Sequence, residues 1–320
     1  MKHHQIRLSG GSQPGVRIEA ETLVKILNSL IEGAQQSVRL RTEGESTRKG
    51  RLPAWLEKVA KFEVTGLTPG SMVIEVDAPT LAEADPTMFR DRMQAALLGE
   101  EREPLSPDYS GIDVFADSMR HALADERDSV EFDKPILKTI LDCTSSLDDQ
   151  FASLEISGLA WSAQSLRVTR EGVSRVLELY DEVPEPQAVR VAGRLDTISA
   201  TQPWIIVCTD SGEKARVRLD PFDPSLIHSL FNKDVIVSGV AYYRPSGRLL
   251  KIEGEYIAPS DEKQALWRKI PTARPTRLQR SQLIVPQDEC SGVSAFFGTW
   301  PGEESEKELL DAVDSIEKEE

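Results

Sequence analysis

Cysteine is scarce. Cys143, Cys208 and Cys290 are the only three in 320 residues. No two of them form a Cys-x-x-Cys pair, and three cannot all pair within one chain. A disulfide framework is therefore excluded, and a reduced, cytoplasmic setting is expected. Cys143 on an apolar helix face and Cys208 at the end of an apolar strand read as small core residues. Histidine is nearly as sparse. His3, His4, His121 and His228 are scattered, with no HExxH or similar spacing, so no metal site is expected. His3-His4 reads as an exposed N-terminal pair. No uninterrupted apolar run approaches the roughly 20 residues that a membrane helix needs. The N-terminus lacks the apolar core of a secretory signal.

The usual catalytic signatures are missing too. No GxGxxG opens a helix after a strand, and no GxxxxGK[ST] occurs. Ser9-Gly-Gly-Ser12 lacks the lysine of a phosphate cradle and reads as a turn. A Gly-x-Ser-x-Gly elbow is absent. Glu100-Glu101 and Asp148-Asp149 are adjacent pairs that cannot share a helix face, and they read as solvated loops or caps. Asp196, Asp210 and Asp220 lie near strand ends, where aspartate commonly caps turns. No catalytic residue, metal or cofactor is expected, and the chain reads as a binding protein rather than an enzyme.

What is present is ordinary in bulk and uneven in detail. Charged residues make up 28% and hydrophobic ones 39%, as in a soluble globular protein. The net charge of −15 opposes unspecific attraction to DNA or anionic membranes, although local basic strips remain. Alternation over 4–9 predicts a strand. Leu23, Ile26, Leu27, Leu30, Ile31, Ala34 and Val38 recur at spacings of three and four, which predicts an amphipathic helix over 19–38. Residues 41–53 read as a loop. Strands at 61–65 and 71–76 flank a turn-rich connector, as in a hairpin. Helices are expected around 88–97, 112–123 and 136–141, the last with Pro135 in its first turn. Strands at 152–157 and 165–169 precede a helix through 173–180. This mixture, without regular βαβ alternation, predicts an α+β domain over 1–183, followed by a Pro184-Glu-Pro186 linker.

From 187 to 259 the pattern changes. Strands are expected at 189–197, 204–209, 214–219, 234–243 and 249–257, with a short helix at 224–231. Five strands with one helix after the third match an OB-type barrel, and an SH3-like barrel fits the strand count equally. Such barrels often bind single strands through aromatic and cationic side chains. Arg190, Arg194, Arg216, Arg218, Tyr243 and Arg248 are the residues that would do so here, beside Trp204. Tyr242 and Tyr243 must point to opposite faces.

Residues 260–320 form a polarised tail. Lys263 to Arg280 holds six basic residues and no acid, and Gly302 to Glu320 holds nine acids against two lysines. Between them lies Phe296-Phe297-Gly298-Thr299-Trp300. Ser305 and Glu308 fit a capping box, and Leu309, Leu310, Val313 and Ile316 make an apolar stripe, which predicts a short helix near 305–317. So short a helix is marginal alone in water and suits docking into a groove. The string from Phe296 to Leu310 resembles the C-terminal region of bacterial type II antitoxins that neutralise PIN-domain ribonucleases. There an aromatic-Gly-x-Trp stretch precedes a short acidic helix. The resemblance covers about twenty residues and implies a protein partner of that kind, part of a toxin-antitoxin system. Phe296, Phe297, Trp300, Leu309, Leu310 and Val313 would be the apolar anchors. Arg274, Arg277 and Arg280, with Arg268, would meet the nuclease carboxylates. The N-terminal region lacks the small DNA-binding fold usual in that family. Single-stranded nucleic-acid binding by the barrel is the alternative.

Overall fold

Strand β1, Lys2–Ser9, alternates strictly, turning His4, Ile6 and Leu8 inward. It lies at the centre of an antiparallel sheet in the order β2-β3-β1-β4-β5, with β2 Glu63–Thr68, β3 Met72–Ala78, β4 Ser153–Ser157 and β5 Ser165–Thr169. Helices α1 (Ala20–Glu43), α4 (Gly111–Leu123), α5 (Lys134–Thr144) and α6 (Arg170–Glu182) share one core with the inner face of the sheet. Phe115, Met119, Ile136 and Ile140 of that core are at most 1% exposed. Two short helices, α2 (Ala54–Val59) and α3 (Leu81–Ala84), build a smaller cluster beside it. Cys143 is sealed in the main core, and burial pushes its thiol up to about 12. The computed structural model describes residues 1–10, 18–48, 50–68, 72–86, 105–147, 150–161, 165–199, 203–260 and 267–273. All of these belong to one compact unit spanning Met1–Thr276.

The expected α+β architecture and small five-stranded barrel are both present. Helix α1 runs five residues beyond its expected end and stops at Gly44, whose φ of 79° is the left-handed conformation that glycine supplies cheaply. Helix α2 begins directly after the expected loop over 41–53, in residues for which no element was expected. The expected helix around 88–97 falls outside the described residues.

The barrel consists of β6 (Gln187–Ile198), β7 (Trp204–Cys208), β8 (Lys214–Leu219), β9 (Asp234–Tyr243) and β10 (Leu249–Pro259), with helix α7 (Pro224–Leu230) between β8 and β9. It closes in the order β10-β8-β7-β6-β9. All pairings are antiparallel except β8 with β10. The parallel pairing of the third and fifth strands, with the helix after the third, is the OB connectivity and not a simple meander. Val191, Leu195, Val207, Val217, Val237 and Ile252 fill the interior. At Gly239 a Cβ would stand 2.1 Å from the carbonyl oxygen of Glu253, so only glycine lets β9 and β10 approach so closely.

The chain remains attached to the barrel beyond β10. Arg268 is held by Asp210 at 3.0 Å and by Asp234 at 2.8 Å. Ile270 packs on the barrel core, and the Ala273 amide donates to the Gly247 carbonyl at 2.9 Å. Arg268, within the basic run, is thus engaged by two barrel aspartates.

Candidate functional site

The residues that gather most charge lie where the end of α1 meets the barrel. The outward face of β8 carries Arg216 and Arg218, opposite Ala215, Val217 and Leu219, which point into the barrel core. An outward arginine on a small barrel is normally solvated, yet Arg218 is only 9% exposed. The cause is Glu45, 3% exposed, whose carboxylate accepts from Arg218 Nη1 and from Lys251 Nζ at 3.2 Å. Lys251 also reaches Glu253 at 3.0 Å, and Tyr242 Oη donates to the same carboxylate at 3.0 Å. Burial pushes the Glu253 carboxyl up, but the Lys251 and Tyr242 contacts outweigh it and hold Glu253 below its usual range. Removing one member of such a buried set strands an opposite charge, at a cost of about 3–5 kcal/mol.

Glu45 is presented by local structure. Gly44 turns the chain out of α1 and packs against the Arg216 guanidinium, which donates to the Glu43 carbonyl at 3.4 Å and stacks 4.4 Å over the Trp204 ring. Ser46 donates its amide to Asp133, the N-cap of α5, at 3.3 Å. Burial raises the Asp133 carboxyl, opposed by the bonds from Ser46 and Ile136 and by the charge of Lys251. A second contact repeats the polarity. Asp128 takes Arg244 on its carbonyl at 2.7 Å, and Ser246 at 2.5 Å and Arg248 at 3.4 Å on its carboxylate. A cleft of about 980 Å³ opens along the seam, lined by Arg48, Lys134, Lys138, Tyr180, Tyr242 and Glu185 among others.

The six residues expected to bind a single strand are not brought together on an open face. Arg218 is buried under Glu45. Tyr243, 3% exposed, packs into the barrel core though it borders the cleft, and the half-buried Tyr242 beside it lines the cleft as well. Arg248 meets Asp128. Arg190 and Arg194 are exposed elsewhere, Arg190 with its guanidinium 5.9 Å from the Trp267 ring and Arg194 3.8 Å from Asp196. Glu45, Lys251 and Asp133 carried no local signal, because Glu45 meets partners 173 and 206 positions away. Phe296, Phe297, Trp300, Leu309, Leu310, Val313, Arg274, Arg277, Arg280 and the helix expected near 305–317 lie outside the described residues.

A second polar cluster could be mistaken for a catalytic triad. His4 Nε2 lies 2.8 Å from Ser110 Oγ, and Asp113 is 3.0 Å from the same oxygen. All three are at 0% exposure. Asp113 takes Lys2 at 2.8 Å and the Ala160 amide at 2.8 Å, and closes the capping box of α4 with Ser110. It orients the serine and not the imidazole, so this is a structural knot. His4 is the buried member of a pair that reads in sequence as exposed, while His3 stays at the surface beside Asp77. Its parity with Ile6 and Leu8 on β1 was the available signal.

Among the described residues, no group of three or more His, Cys, Asp or Glu is placed to hold a metal ion, and no helix is long and apolar enough to cross a membrane. In comparisons with family models, curated proteins and solved structures, nothing matches the chain.

Proposed function

We propose that this is a non-enzymatic, antitoxin-like protein of the bacterial cytoplasm, which neutralises or scaffolds a partner protein through residues 260–320, the partner being a PIN-domain ribonuclease. The observation that carries this reading is the order of the tail sequence: bases, then Phe296-Phe297-Gly298-Thr299-Trp300, then an acidic, leucine-bearing end. Aromatic anchors dominate interface energetics, and acids can occupy a basic RNA-binding rim in place of RNA. The anchoring of Trp267–Ala273 on the barrel supports it, because it gives the tail a fixed origin at Gly247. The test is co-expression with a PIN-domain ribonuclease encoded beside it. Full-length protein should co-purify with the nuclease and suppress its RNA cleavage, and a chain lacking 282–320 should do neither. Equal capture by the shortened chain refutes the reading.

A further inference from the structure

We propose that the outward face of β7, β8, β10 and β9 is a binding site for single-stranded nucleic acid, held shut by the sheet domain with Glu45 and Asp128 in the places of phosphates. The inference is independent of the tail. Its first support is charge. Residues 1–186 carry 21 bases against 32 acids, whereas 187–259 carry nine against eight. Within the barrel the cations are not spread evenly. Arg216, Arg218, Arg244, Arg248 and Lys251 all meet carboxylates or carbonyl oxygens of the sheet domain. At these contacts barrel cations meet sheet-domain oxygens, as cations meet phosphates at a protein–phosphate interface, while Arg48, Lys134 and Lys138 add cations of the sheet domain to the cleft beside them.

The second support is the kind of ring beside these cations. Single-strand surfaces combine cationic side chains with stacking platforms. Here Arg216 lies over Trp204 at 4.4 Å and Lys251 over Tyr242 at 5.0 Å. Tyr242 already borders the open cleft, so a base can stack there before the seam parts. Glu253, Asp220 and Glu255 also line the cleft and oppose a polyanion along that rim, which places the backbone track toward Arg216 and Arg218. The third support is the nature of the closure. Buried ion pairs contribute little net stability after desolvation, so a polyanion that pairs the same cations can replace Glu45 at modest cost.

The test uses the full chain and fluorescence anisotropy with labelled deoxythymidine and uridine strands of about 16 nucleotides, the upper site size of such barrels. Glu45→Ala/Asp128→Ala should bind at least about tenfold more tightly than the unmodified protein. Its affinity should fall about 15- to 20-fold between 50 and 200 mM salt, as engagement of three phosphates requires. Adding Arg216→Ala and Lys251→Ala should return binding to the unmodified level. Glu45→Gln keeps the side-chain shape and should give an intermediate gain, and it decides the matter where circular dichroism shows the double variant unfolded. Unchanged binding in Glu45→Gln and the double variant overturns the proposal. So does a gain that survives Arg216→Ala/Lys251→Ala, or equal binding of poly-glutamate, which would make the face a general acid-binding surface.

Discussion

His4 gives this fold a defined acid sensitivity. Burial lowers its pKa from the ordinary 6.5 to about 4, despite the nearby Asp113 charge, which Lys2 shares, and with Lys2 and His3 adding to the lowering. The imidazole is a base whose folded pKa is depressed, so the unfolded chain takes up the proton first. The stabilisation is complete above about pH 6.5 and is lost as the pH falls toward 4. Between pH 7 and pH 5 the unfolded state gains about 2 kcal/mol from this one group, and the full loss approaches about 3 kcal/mol. The assay is urea unfolding at both pH values for the unmodified protein and for His4→Gln, which keeps a donor within reach of Ser110. The variant should be less stable at pH 7, yet should lose about 2 kcal/mol less on acidification. Carboxylates titrate equally in both proteins and cancel in the difference. Parallel losses would show that His4 is protonated in the folded state and would refute the argument.

Two further expectations concern the seam and the start of the tail. Gly44→Ala and Gly212→Ala both force alanine into the left-handed region, at φ of 79° and 81°, but a Cβ at 44 stands 2.4 Å from the Arg216 guanidinium while one at 212 meets nothing within 4 Å. Gly212→Ala should cost about 1 kcal/mol and Gly44→Ala about 2–3 kcal/mol by chemical denaturation; equal costs would mean that Arg216 does not rest on the helix end. Arg268→Ala removes both ion pairs that hold the strap after β10, and trypsin should then cleave after Lys269 faster than in the unmodified protein, an unchanged rate counting against the strap.

Local periodicity carried most of the fold. The three-four spacing from Leu23 to Val38 fixed the face of α1, and the change to five short strands after the Pro184-Glu-Pro186 linker marked off the barrel. Boundaries moved where capping chemistry decided them. Helix α1 continued through Arg39-Leu40-Arg41 because Arg39 pairs with Glu43 at 2.9 Å, and Arg41 is engaged with Glu131 at its last turn. Neither partner advertises itself in a stretch that is mostly polar. His4 was legible by parity but was outweighed by the expectation that paired terminal histidines face water. Its partner Ser110 lies 106 positions away.

The seam was the least legible feature, for a physical reason. Alternation puts Arg216 and Arg218 on one face of β8, and the structure turns that face outward, but a strand pattern distinguishes only the barrel interior from everything else. Whether the outward side meets water, a ligand or another part of the chain depends on the end of α1, which lies 173 positions away in sequence and meets β8 only in the folded structure. A basic strip with an aromatic neighbour is thus the same sequence signal for a nucleic-acid face and for an acid-capped domain contact. What separates the two is exposure. Arg218 at 9% and Lys251 at 8% are too buried to greet a polyanion directly, so any nucleic acid binding through them must first displace Glu45. For that reason, affinity measured on the unmodified protein cannot by itself report the chemistry of the face, and the decisive quantity is the difference made by the carboxylate at position 45.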